Sequence, residues 1–234
     1  MVKYRLKIMD IAEEAPGVRT YFLEKPEEFT WIEGAHMHVG LPGFDEGELP
    51  NKDMVRHMSI MTLPGENKIG FTTRVLPSLS EFKEKLSKLH IGEEVTLFKA
   101  GSRMFLRREN RPIVLISMGV GISTMRPLIY GFIKDKAGIP GLININVNSS
   151  RAFVYKPELD KLENSFYQNY WLDSRTSFYE ELDKASDQSD AIYYIVGSDT
   201  FIKEVIKFLK SKEIEESSLL IDKKEEQSAN YYNG

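Results

Sequence analysis

The chain has 234 residues, 41% of them hydrophobic and 28% charged, enough for one large core or two modest ones. A net charge of -4 with interspersed signs offers no global basic surface to nucleic acid or an anionic membrane. The absence of cysteine excludes a disulfide framework, a thiol nucleophile, and any zinc or iron–sulfur cluster held by this chain's own thiolates.

The first residues, Met-Val-Lys-Tyr-Arg-Leu-Lys-Ile, alternate like a strand and do not read as a leader peptide. No apolar run approaches the ~20 residues that a bilayer-spanning helix needs. The expectation is a soluble cytoplasmic protein with no membrane span and no nucleic-acid partner.

In chain order, residues 4–11, 19–24, 36–41, 57–61, 69–75 and 94–98 are short β-branched or alternating stretches separated by Gly, Pro and acidic turns. Their spacing predicts a six-stranded antiparallel β-barrel. Residues 80–89 interrupt the pattern with Phe82, Leu86 and Leu89 at helical spacing, opened by Ser80 as N-cap. Beyond residues 107–112 strands and helices alternate. Strands are expected at 113–116, 142–147, 166–172 and 191–196, and helices at 125–134, 156–162, 178–185 and 200–212. This alternation predicts a doubly wound α/β domain with a parallel sheet. The expected division is a barrel over 1–108 and an α/β domain over 109–234. The polar tail 227–234 contains Tyr231 and Tyr232 and is expected to fray.

Several motifs could carry chemistry, and each has a plain structural alternative. Gly119-Val120-Gly121-Ile122-Ser123-Thr124 joins an apolar strand to a helix. That arrangement suits either a phosphate approaching a helix N-terminus or simply a tight β–α turn. It lacks the full G-x-G-x-x-G pattern. Arg56-His57-Met58-Ser59-Ile60 could present a guanidinium to phosphate, or a solvated arginine on a sheet. Pro77-Ser78-Leu79-Ser80 could bind phosphate at a helix start, or merely cap it. Ser149, Ser150 and Arg151, with Tyr155 just beyond, follow one strand, and Asp173-Ser174-Arg175 follows the next. They are either a 2′-phosphate cluster at the carboxyl ends of the strands or surface arginines with a capping serine. His36 and His38 share a face but lack an obvious third ligand, so no metal is expected.

Taken in order, these segments resemble the ferredoxin–NADP reductase superfamily over nearly the whole chain. Arg56-His57-Met58-Ser59 resembles its Arg-x-Tyr-Ser flavin motif, and residues 74–80 the segment whose serine binds the FAD pyrophosphate. Gly101-Ser102-Arg103-Met104-Phe105 is similar to the barrel exit, Gly119-Val120-Gly121-Ile122 to the Gly-Thr-Gly-Ile nicotinamide loop, and Val196-Gly197-Ser198-Asp199 to the Cys-Gly-Pro segment.

The resemblance implies an FAD-dependent NAD(P)H oxidoreductase, with NADPH favoured over NADH. Electrons would pass to an external acceptor: a ferredoxin, a flavodoxin, a partner enzyme or a small oxidant. It implies that Arg56 contacts the FAD pyrophosphate, and that Met58, Ser59 and Ile60 lie along the isoalloxazine with Ser59 the catalytic contact near N5. Thr73 and Val75 would flank the flavin, and Ser80 would hold phosphate. Gly119, Gly121, Ile122 and Ser123 would pass under the pyridine nucleotide, and Gly197 and Asp199 would sit near the nicotinamide. Ser149, Ser150, Arg151 and Arg175 would read the adenosine phosphate, with Tyr155 against adenine. Relatives also place a terminal aromatic over the flavin, a role open to Tyr231 or Tyr232. Met58, Thr124 and Val196 depart from the family's tyrosine, proline and cysteine. These departures motivate an alternative, a regulatory or electron-transfer subunit with weak or no reductase activity.

Overall fold

The computed structural model describes residues 2–77, 80–187, 190–223 and 225–232. It divides into two compact units, Met1–Phe105 and Leu106–Gly234.

The first unit is a six-stranded antiparallel sheet. Its strands are β1 (Lys3–Ala15), β2 (Val18–Leu23), β3 (Ala35–Gly40), β4 (Val55–Ser59), β5 (Ile69–Arg74) and β6 (Glu94–Ser102). The order is β4-β3-β6-β1-β2-β5. The sheet curls into a near-closed barrel: β4 ends at Ser59, and Met61 N–H then reaches across to Gly70 O at 2.8 Å. This crossing explains why β4 ends earlier than the expected 57–61 stretch. Alternation buries Met37, Val39, Leu97, Leu23 and Phe71 inside, where Tyr21 stacks on Phe71.

Helix α1 (Glu81–Ser87) plugs the barrel with Phe82 and Leu86, each fully buried and each contributing about 2 kcal/mol of apolar burial. Ser80 caps it by accepting from Lys83 N–H at 3.4 Å. Its last turn is tied down where Tyr21 OH donates to Leu86 O and Arg19 Nη1 to Ser87 O, a cation on the negative end of the helix.

The second unit is a five-stranded parallel sheet. It contains β7 (Ile113–Met118), β8 (Leu142–Val147), β9 (Tyr167–Leu172), β10 (Ile192–Val196) and β11 (Leu219–Ile221), in the order β11-β10-β7-β8-β9. The helices are α2 (Ile122–Lys134), α3 (Lys156–Asp160), α4 (Arg175–Ser186), α5 (Asp199–Ser211) and α6 (Glu225–Tyr232). Helices α4 and α5 cover the face carrying Val114, Ile116, Ile145, Tyr193 and Ile195, while α2 packs on β7 and β8. Two elements escaped sequence reading. Strand β11 has only three apolar residues, and α6 forms within the tail expected to fray, anchored by buried Tyr231. Among the described residues no helix is long and apolar enough to cross a membrane.

Candidate functional site

Strand order in the α/β unit reverses at β7, which lies between β10 and β8. A switch point of this kind opens a crevice at the carboxyl ends of the strands, where ligands of α/β sheets bind. Gly119–Gly121 leaves β7 there as a single 3-10 turn feeding α2, and Gly197 leaves β10 beside it. Gly119 has φ 56°, and a Cβ built on it meets no atom within 4 Å, so the backbone faces open space. Gly121 is glycine for a different reason, because its Cβ would lie 3.0 Å from Val196 O and 3.1 Å from Val196 Cγ1. The two loops therefore pack directly on each other. At Gly197 a Cβ would meet the Phe201 ring at 2.5 Å, so the first turn of α5 also requires glycine.

Other predicted residues of this unit are placed less openly. Ile122, Ser123 and Thr124 turn inward at the start of α2 and are buried. Asp199, at the N-terminus of α5, accepts from Tyr231 OH at 2.9 Å, and its carboxylate lies 3.0 Å from Lys223 Nζ. These two partners hold its carboxyl below the usual range. The terminal tyrosine is thus bound within its own unit.

Beyond β8, Asn148 Oδ1 accepts from both the N–H and the hydroxyl of Ser150, while Ser149 and Arg151 are exposed. Arg151 pairs with Asp173 at 2.7 Å, and Arg175, at the start of α4, pairs with Glu204 at 2.7 Å. Tyr155, the aromatic expected against adenine, is instead buried at 6% exposure under Arg126. The half-buried rings at that end of the sheet are Phe153 and Trp171, 5.6 Å apart.

In the barrel, register decides which residues share a face. Val39 pairs with Arg56 and Met37 with Met58, while His38 pairs with His57 and His36 with Ser59. Cross-strand partners point to the same side, so Arg56 and Met58 share the inner face with Met37 and Val39. Ser59 shares the outer face with His36, His38 and His57. Met58 and Ser59, expected on one ligand, project in opposite directions. Arg56 lies over the Phe82 ring at 5.5 Å, which brings it to the helix that Ser80 caps. Its Nη1 donates to the carbonyls of Val55, Asp53 and Lys52, while Nε and Nη2 have no partner among the described residues. Ile60 and Val75 are fully buried and Thr73 nearly so; Val75 N–H donates to Gly17 O at 2.8 Å. Ser78 and Leu79 lie outside the described residues.

The His36 and His57 rings are 4.4 Å apart, and those of His38 and His57 5.4 Å. Burial, then Arg103 and His38, push His36 down to about 4, which keeps it neutral. Among the described residues no group of three or more His, Cys, Asp or Glu side chains is placed to hold a metal ion.

A solved ferredoxin NADP+ reductase from Neisseria gonorrhoeae, described with bound FAD and NADP, superposes with a TM-score of 0.79 at 12% identity. The match covers 94% of this chain and 98% of that one. This chain has the ferredoxin–NADP reductase fold. No family model matches it. One Na(+)-translocating NADH-quinone reductase subunit, from Chlamydia felis, is 24% identical over 157 residues, covering 56% of this chain and 36% of that protein. The toluate 1,2-dioxygenase electron transfer component of Pseudomonas putida is 27% identical over 126 residues, covering 53% and 36%. The chain therefore spans about a third of the length of the curated relatives it matches. Within the ferredoxin–NADP reductase fold, the sequence motifs missed Asn146, whose amide lies directly beneath the glycine turn, and Asp222, a buried carboxyl just past β11. An asparagine alternating with apolar residues in a buried strand was the available signal for Asn146.

Proposed function

We propose that this chain is a flavin-dependent oxidoreductase: its barrel unit holds FAD, and its α/β unit receives NAD(P)H. The observation that carries this reading is the glycine turn at the switch point, where Gly119 opens its backbone to a ligand while Gly121 locks the turn onto β10. Bound FAD would supply the redox chemistry, taking a hydride at N5 and releasing electrons to a separate acceptor.

The residues present fit that role. Arg56 has two guanidinium nitrogens available to an anion beside α1, and charge-assisted bonds of this kind are the strong ones. Met58, partly buried on the same strand face as Arg56, places a polarizable thioether where the family's motif has an aromatic. At the nucleotide turn, the open side of Gly119 and the start of α2 favour negative charge. Ser149, Ser150, Arg151 and Arg175 support NADPH, although each arginine must leave a carboxylate to meet a 2′-phosphate.

The acceptor belongs to the same proposal: these residues contain no cysteine, so any cluster that takes the electrons is held outside them. The test is flavin content. Purified protein should carry FAD, or take it up to one equivalent, and Arg56→Ala should weaken that binding at least tenfold. Colourless protein that takes up no FAD would refute the proposal.

A further inference from the structure

Strand β8 reads Leu-Ile-Asn-Ile-Asn-Val, and both asparagines are fully buried. An amide in a dry interior costs free energy unless it is bonded, so its presence there calls for a physical reason. Asn146 sits directly opposite Ser117 in the β7–β8 ladder. Its Nδ2 donates to Ser117 Oγ at 2.8 Å, to Gly119 O at 3.2 Å and to Ser117 O at 3.4 Å. Two of those acceptors are carbonyls, which fixes the amide with its nitrogen toward the turn and its oxygen away. Oδ1 accordingly has no partner among the described residues.

The contact to Gly119 O bears on the turn itself. Gly119 adopts φ 56° with open space above it, so nothing packs on that side to hold it. Gly121 is wedged against Val196 at the far end of the turn. Between the strand and that wedge, Asn146 is the side chain that draws the Gly119 carbonyl inward.

We propose that Asn146 is a positioning residue for pyridine-nucleotide binding: by holding the Gly119 carbonyl, it fixes the direction of the backbone that meets the coenzyme. The proposal rests on the reading of Gly119–Gly121 as the coenzyme turn. Ligand binding would then depend on a residue that never touches the ligand, through pre-organisation of the loop.

The test uses the full-length, FAD-loaded protein as wild type, Asn146→Ala and Asn146→Asp. NADPH and NADH are each titrated while reduction of the bound flavin is followed. Asn146→Ala should raise the half-saturating concentration about tenfold, the worth of one net hydrogen bond. Its FAD content and limiting rate should stay within about twofold of wild type. In Asn146→Asp an ionised carboxylate would repel the two carbonyls, so affinity should fall at alkaline pH. It should recover on acidification, as the protonated acid regains a donor. Amide exchange at Gly119, Val120 and Gly121 in coenzyme-free protein should quicken in Asn146→Ala.

Unchanged half-saturation in both variants would overturn the proposal, as would loss of FAD in step with loss of affinity. If neither coenzyme reduces the wild type, the reading of the turn fails instead. The exchange measurement then still decides the brace, because equal turn exchange in wild type and Asn146→Ala overturns it.

Discussion

Replacing each glycine of the β7–α2 turn by alanine separates two demands that the turn makes. At Gly119 the φ of 56° puts an L-residue in the left-handed region, which costs about 1 kcal/mol. The new Cβ meets nothing within 4 Å, so no internal clash adds to that. Stability should fall by about 1 kcal/mol, or about 4 °C in Tm for a unit of this size. The same methyl stands where a phosphate would approach the backbone. Losing one charge-assisted hydrogen bond there is worth about 1.5–3 kcal/mol, roughly 10- to 100-fold in coenzyme affinity. At Gly121 the balance reverses. A Cβ 3.0 Å from Val196 O must push β10 aside, an overpacking that costs about 1–3 kcal/mol of stability. Thermal melts and coenzyme titrations on the two variants give the comparison. Gly119→Ala should bind coenzyme poorly while melting only about 4 °C below wild type, and Gly121→Ala should melt lower still. A Gly119→Ala protein with undiminished coenzyme affinity would refute the assignment of this surface.

Further expectations concern titration, the tail and the coenzyme phosphate. Burial raises Asp222 from 3.8 to about 6, so its contribution to stability is complete below pH 4 and is lost as pH rises through 6. The loss amounts to about 3 kcal/mol, and Asp222→Asn should abolish it, melting above wild type at pH 8 and level with it at pH 4. His36, held down to about 4, should show imidazole resonances that stay neutral from pH 8 to pH 5; a midpoint near 6.5 would contradict its burial. Tyr231→Phe keeps the buried ring but deletes the bond to Asp199, which should cost about 1 kcal/mol and speed proteolysis within α6. Arg175→Ala should raise the KM for NADPH and spare NADH, and equal effects on both would remove it from the phosphate site.

The fold was legible because local and global signals agree. Alternation in residues 36–41 and 69–75 matches strands β3 and β5, and the unbroken apolar run of β7 is what a strand covered on both faces requires. The N-cap role of Ser80 was likewise readable from a hydroxyl placed just before an apolar helical stripe. What escaped depended on partners distant in sequence. The tail is polar by composition, yet Tyr231 finds Asp199 some thirty residues earlier and α6 forms on α5. Strand β11 is short and gains its place from pairing with β10. Tyr155 looked available to a ligand, but it is buried, with the Arg126 guanidinium of α2 over its ring. The pairing of Arg151 with Asp173 and of Arg175 with Glu204 is also three-dimensional information, and it sets the competition that a 2′-phosphate must win.

The central claim, hydride transfer from pyridine nucleotide to a flavin held by this chain, is tested most directly by anaerobic mixing of the FAD-loaded protein with NADPH or NADH. The account predicts that the visible band of oxidised flavin bleaches at a rate that saturates with coenzyme concentration. Flavin that stays oxidised under an excess of both coenzymes, yet reduces normally with dithionite, would contradict it and favour an electron-transfer protein without reductase activity of its own.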